Sequence, residues 1–95
     1  MYKIEIVANK SVEAEIVEAL ELALPSLLYT IIPEVIGKGR RNRKLGNTTW
    51  PELNFILFTY TGAEEVRRIG EILEALKKKF PNEGIKFFAS ESTIQ

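Results

Sequence analysis

The sequence LLYTIIPEVIGKGRRNRKLGNTTWPELNFILFTY, residues 27–60, has two strand-like ends and a basic middle. Residues 27–36 are rich in β-branched and aromatic side chains, which predicts a strand. Residues 53–60 predict a second strand with apolar side chains on both of its faces. The segment between them combines glycines with positive charge and predicts a loop.

Pro33 lies inside the first of these two strands. Proline has no backbone N–H and cannot donate a hydrogen bond to a neighbouring strand. We therefore expect this strand to lie at the edge of a sheet or to contain a bulge at Pro33.

The N-terminal side of this stretch predicts one strand and one helix. Residues 2–7 show the alternation of a strand with one face more buried than the other. Asn9 and Ser11 are suited to cap a helix, and apolar residues then recur at helical spacing up to Pro25, before which the helix should end.

The C-terminal side predicts a second helix and a last strand. Thr61 and Glu64 fit a capping box at the start of that helix. Residues 85–89 predict a short strand, and residues 90–95 a loose tail or a strand that depends on a partner. The order βαββαβ predicts a ferredoxin-like α+β fold, a four-stranded antiparallel sheet with both helices on one face.

The composition limits the possible functions. Ninety-five residues predict a single domain, residues 1–95. The absence of Cys and His argues against disulfides, imidazole catalysis and a transition-metal site, so we expect neither an enzyme nor a metalloprotein. No apolar run has the length of a membrane span and the N-terminus has no signal peptide, so we expect a cytoplasmic protein that is not embedded in a membrane.

The predicted fold leaves one face of the sheet without helices, although residues 53–60 are apolar on both faces. Burial of a large apolar side chain contributes about 1.5 to 3 kcal/mol. The open face therefore predicts an oligomer. The alternative is that the loop folds back and covers this face with Leu45 and Trp50.

The loop has a strong local charge in a chain whose net charge is zero. Glycines and arginines together can surround a phosphate with backbone amides and guanidinium groups, and Trp50 offers a plane for stacking. A solvated hairpin loop without a ligand is the alternative. The basic residues of the loop are Lys38, Arg40, Arg41, Arg43 and Lys44.

Thr30, the run VIGKGR at residues 35–40 and a basic loop containing Gly46 resemble the start of the T-loop of PII-type nitrogen-regulatory signalling proteins. The predicted order of elements is similar too. PII proteins are trimers that bind adenine nucleotides in clefts between subunits and regulate enzymes or transporters through the T-loop. The resemblance implies a divergent PII-like protein that forms a homotrimer, binds ATP, ADP or another adenine nucleotide, and docks to a regulated enzyme or membrane transporter.

The resemblance also assigns residues, with two departures. Residues 79–86, KFPNEGIK, replace the T-G-x-x-G-D-G-K phosphate loop of PII proteins, so ligand binding would depend on the loop arginines. Arg41 replaces a glutamine, which argues against the magnesium and 2-oxoglutarate chemistry of that family. The implied ligand residues are Thr30, Gly37, Gly39, Arg40 and Arg41, and the implied docking residues are Lys38, Arg43, Lys44, Gly46 and Trp50.

Four other interpretations remain open at this point. An enzyme would use Glu34, Glu52 or Glu64 as acids, although nothing pairs them with a nucleophile or a metal site of recognisable spacing. An RNA-binding ferredoxin-like module would use aromatic side chains of the sheet, although few basic residues accompany them. A docking module without a ligand would use the loop alone. The divalent-cation tolerance family has a similar fold, but this chain lacks the Cys and His of a metal role. The aromatic residues proposed for RNA stacking are Tyr2, Phe55, Phe58 and Phe87.

Overall fold

The structure is a computed structural model that describes residues 1–38 and 52–94. The predicted order of elements is confirmed. Neither helix in these two ranges has the length and apolar character needed to cross a membrane. The elements are β1 (Tyr2–Asn9), a 3₁₀-helix (Lys10–Val12), α1 (Glu13–Ala23), β2 (Tyr29–Gly37), β3 (Glu52–Thr61), α2 (Ala63–Lys79) and β4 (Ile85–Glu91).

The four strands form one antiparallel sheet in the order β2-β3-β1-β4. Pro33 therefore lies in an edge strand, as predicted. Ile32 pairs with Ile56 but Val35 pairs with Asn54, so β2 contains one residue more than β3 over this interval. This is a β-bulge at Pro33, and the ferredoxin-like α+β fold is confirmed with it.

The hydrophobic core lies between the sheet and the two helices. Alternate residues of β1 and β3 point toward the helices, as the period of a strand requires. Both helices cover this one face, as predicted. The central core side chains, each at most 2% exposed, are Ile4, Ile6, Ala8, Ile16, Leu20, Phe55, Leu57, Ile69 and Leu73.

The last strand extends beyond its predicted end. β4 continues to Glu91, which pairs with Tyr2, and the Ser92 amide donates to the Met1 carbonyl at 2.9 Å. The prediction that residues 90–95 form a loose tail or need a partner is therefore wrong for Ser90 and Glu91. Their polar side chains are compatible with an edge strand because β1 supplies the backbone partners.

The start of α2 also differs from the prediction. Thr61 remains in β3, paired with Tyr2, and the N-cap is Gly62. The Gly62 amide donates to the Glu65 Oε1 at 3.1 Å, so the cap uses Glu65 in place of Glu64. Glu64 instead pairs with Arg67, and the hydrogen bond from that guanidinium holds the pKa of Glu64 below its ordinary value.

Glu65→Ala should lower the free energy of unfolding by about 1 kcal/mol, because it leaves the Gly62 amide without its acceptor. Urea denaturation measures this change. Glu64→Ala is the matched control and should cost about 0.5 kcal/mol or less, because it removes only an exposed ion pair. A larger loss for Glu64→Ala than for Glu65→Ala would contradict this assignment of the cap.

Candidate ligand-binding and docking site

The predicted site extends along β2, from Thr30 near the start of this strand to Gly37 at its end, where the basic loop begins. Of the predicted ligand and docking residues, the structure describes Thr30, Gly37 and Lys38. The other predicted residues lie outside the described ranges, as do Leu45 and the proposed covering of the open face by the loop. These residues are Gly39, Arg40, Arg41, Arg43, Lys44, Gly46 and Trp50.

The bulge places Thr30 and Gly37 on the same face of the sheet. Thr30 is opposite Phe58 and Gly37 is opposite Glu52, and these two β3 residues share the face that the helices leave open. In a regular strand, residues separated by an odd number of positions lie on opposite faces. The extra residue at Pro33 shifts the alternation of faces by one position, so Thr30 and Gly37 lie on the same face although they are seven positions apart. Thr30 and Gly37 are still roughly 20 Å apart along the strand, from the rise per residue.

Gly37 packs closely against β3. A Cβ atom at this position would lie 2.8 Å from Asn54 Nδ2, which is closer than van der Waals contact allows. A larger residue here would displace the Asn54 side chain. The atom in question is the far end of a flexible side chain, so the close contact limits the position of the Asn54 amide and not the spacing of β2 and β3.

Lys10, in the 3₁₀-helix, contacts the bulge of β2. Its Nζ donates to the Pro33 carbonyl at 2.5 Å and lies 2.6 Å from the Glu13 carboxylate. A bulge interrupts the backbone hydrogen bonds of the strand and leaves some backbone groups without a partner strand. Lys10 satisfies one of them, the Pro33 carbonyl. Sequence reasoning did not identify Lys10, because only the pairing of the strands brings it next to Pro33.

The turn before β4 replaces the phosphate loop of PII proteins in the sequence. Its Glu83 carboxylate accepts a hydrogen bond from Ser11 Oγ at 3.0 Å, and the Gly84 carbonyl accepts one from the Asn9 amide at 3.0 Å. Asn9 Oδ1 in turn accepts from the Ser11 amide at 2.9 Å. These polar groups join the turn to the end of β1, and a carboxylate occupies the turn, which is unfavourable for a phosphate.

The face of the sheet without helices is largely apolar, as the sequence predicted. Ile56 and Phe58 point to this face, whereas Phe55 and Leu57 point into the core. Lys3 Nζ lies 4.9 Å from the centre of the Phe58 ring, a distance typical of a cation–π contact. The apolar residues of this open face are Val7, Ile32, Val35, Ile56, Phe58, Tyr60 and Phe88.

The predicted set of aromatic residues for RNA stacking is wrong. Phe55 is fully buried in the core, Phe87 packs against the helices, and Tyr2 has the same facing as the core residue Ile4. Only Phe58 of the four lies on the open face. A strand exposes alternate residues on each face, so these four aromatics cannot form one platform.

The described residues contain no group of three or more carboxylates that could hold a metal ion. The acidic residues considered for catalysis are Glu34, Glu52 and Glu64. Glu64 forms an ion pair with Arg67 on the exposed side of α2.

No protein-family model matches the sequence, and no match is found among curated proteins. Solved structures do resemble this chain. CPII, a nitrogen regulatory PII-like protein from Thiomonas intermedia K12 bound to ADP, AMP and bicarbonate, superposes with a TM-score of 0.70 at 19% identity, covering 99% of this chain and 91% of CPII. A protein from Thermus thermophilus described as a PII-like signalling protein has a TM-score of 0.64 at 26% identity, over 94% of this chain and 83% of that protein.

A de novo designed protein, Foldit4, also resembles the chain, with a TM-score of 0.61 at 14% identity over 97% of this chain and 98% of the design. Likeness of fold alone is therefore not evidence that two proteins share a function. The PII-like structures confirm that this chain resembles PII-like proteins in fold, at low sequence identity.

Proposed function

We propose that this chain is a PII-like signalling protein that binds a small anionic ligand, an adenine nucleotide, and regulates a partner protein through its basic loop. The observation that carries this proposal is the placement of Gly37 on the open face, directly before five basic residues, with Thr30 on the same face near the start of β2. The complex of CPII with ADP and AMP supports the class of ligand. The proposed ligand residues are Thr30, Gly37, Gly39, Arg40 and Arg41.

The open face suggests how the site is completed. We expect a homotrimer in which each open face is covered by other copies of the chain, because exposed patches of large apolar side chains mark protein interfaces. Tyr60 is 54% exposed and Phe88 is 53% exposed on this face. A ligand at Thr30 and Gly37 would then lie at a boundary between copies, which corresponds to the proposed cleft.

The loop is proposed to contact the partner, a regulated enzyme or a membrane transporter. It presents a concentrated positive charge in a chain of zero net charge, which favours an acidic surface on the partner. We expect this protein to act in the cytoplasm by binding and without catalysis. The proposed docking residues are Lys38, Arg43, Lys44, Gly46 and Trp50.

A screen of ATP, ADP and AMP by thermal denaturation tests the proposed ligand. A nucleotide that binds only the folded state should stabilise it by about 2.7 kcal/mol at a concentration one hundred times its dissociation constant. Inorganic phosphate and GTP at the same ionic strength are the controls. Equal stabilisation by phosphate would exclude recognition of the base, and no stabilisation by any nucleotide would favour docking without a ligand.

A further inference from the structure

A pocket lies at the end of the molecule opposite the basic loop, where β2 begins and β3 ends. It has a volume of about 550 Å³, within the range of small-ligand sites. The turn between α1 and β2 supplies apolar walls that include Leu24 and Leu27. The polar side is formed by Thr61 at the end of β3 and by Glu65 and Arg68 in the first turns of α2.

The Thr61 hydroxyl has no partner in the described part of the chain. Thr61 is only 8% exposed, and its Oγ1 is inaccessible to solvent and makes no hydrogen bond. Buried hydroxyl groups in native proteins are usually hydrogen-bonded within the protein, because burial removes the hydrogen bonds that they would make with water. Thr61 belongs to the wall of the pocket, but its hydroxyl is closed off from solvent and therefore from a ligand, so the polar contacts are left to Glu65 and Arg68.

Glu65 and Arg68 are opposite charges on the same wall that do not pair with each other. Arg68 Nη2 donates to the Ala23 carbonyl at 3.0 Å, and Glu65 Oε1 accepts from the Gly62 amide at 3.1 Å. Opposite charges at this helical spacing normally attract each other. Each of these two is instead held by a backbone group.

Glu64 and Arg67 provide the comparison within the same helix. They have the same spacing, lie on the exposed side of α2, and form a direct ion pair. The separation of Glu65 and Arg68 is therefore specific to the pocket. It leaves one positive group and one negative group facing the same space, beside an apolar wall.

We propose that this pocket binds an apolar α-amino acid. The ligand's carboxylate meets the Arg68 guanidinium, its ammonium group meets the free oxygen of Glu65, and its side chain packs on Leu24 and Leu27. A zwitterion satisfies both charges at once, whereas a simple anion would meet Glu65 and a simple cation would meet Arg68. Of the proposed nucleotide residues, Thr30 and Gly37 do not line this pocket.

Titration calorimetry of the full chain with L-leucine tests this proposal. Isocaproate lacks the ammonium group and isoamylamine lacks the carboxylate, while both keep the branched side chain. Leucine should bind saturably, and each analogue should bind roughly tenfold more weakly or worse, because one charged group of the pocket then has no partner. Absence of saturable leucine binding, or equal binding of either analogue, would overturn the proposal.

Variants of the pocket locate the binding. Arg68→Gln should weaken leucine binding roughly tenfold or more, and Arg67→Gln, the same change one residue away, should leave it unchanged. Glu65→Gln keeps an acceptor for the Gly62 amide and should weaken leucine binding without weakening isocaproate binding. An equal effect of Arg67→Gln and Arg68→Gln would place the leucine elsewhere.

Discussion

Phe58→Glu should convert the assembled protein into folded monomers. Phe58 lies on the open face of β3, so a carboxylate there would be buried against other copies of the chain without a partner. Phe55→Glu should instead prevent folding, since Phe55 is 0% exposed in the core and its truncation to alanine alone would cost about 3 to 5 kcal/mol. Sedimentation equilibrium reports the mass, and circular dichroism reports the fold.

Leu22→Glu is the matched control for this experiment. Leu22 is 87% exposed on α1 and does not belong to the open face, so the same change of charge should affect neither mass nor fold. A wild-type protein of monomer mass at micromolar concentration would exclude the trimer. An unchanged mass of the Phe58→Glu variant would place the interface on another surface.

Arg40→Ala should abolish the stabilisation by an adenine nucleotide and leave the assembly unchanged. The resemblance to PII proteins assigns Arg40 to the phosphates, and a guanidinium group makes paired hydrogen bonds to phosphate that alanine cannot replace. Thermal denaturation with and without the nucleotide measures the loss. Arg67→Ala, on the exposed side of α2, is the control for removing one arginine and should keep the full response.

An RNA-binding function would give a different result. All five basic residues of residues 38–44 would then contribute, and Arg40→Ala would weaken RNA binding only in part. Neutralising five phosphates of a single strand gives a slope of log affinity against log salt of about −3.5, from about −0.7 for each contact. Such a salt-dependent affinity, without any response to nucleotides, would contradict the proposed signalling function.

The fold could be predicted from the sequence because two local patterns agree with each other. The double apolar pattern of residues 53–60 indicates a central strand with one row in the core, and the structure buries the row of Phe55 and Leu57. Pro33 indicates an edge strand or a bulge, and the structure has both. The start of α2 was displaced by one residue, since pairing with β1 keeps Thr61 in β3 and prevents it from acting as the cap.

The candidate site could be predicted only in part. The pattern of glycines and arginines indicates where an anion could bind, but most of these residues lie outside the described ranges. The contact of Lys10 with Pro33 depends on which strands are neighbours, and no local pattern reports that. The pocket of Thr61, Glu65 and Arg68 was missed for a similar reason, because its apolar wall comes from the distant turn after α1.

The bulge at Pro33 also affects how this chain should be aligned with its relatives. Because β2 has one residue more than β3 between Ile32 and Val35, the loss of that residue would leave Val35 and Gly37 opposite the same residues of β3. A deletion or insertion at this point would therefore not change which residues of β2 and β3 lie opposite each other at the base of the loop. An alignment without a gap at Pro33 can therefore match Gly37 to the correct residue of a relative and still match Thr30 to a residue one position away. That residue would lie on the opposite face of the sheet. Residue equivalences on the two sides of Pro33 should be assigned separately, from strand pairing.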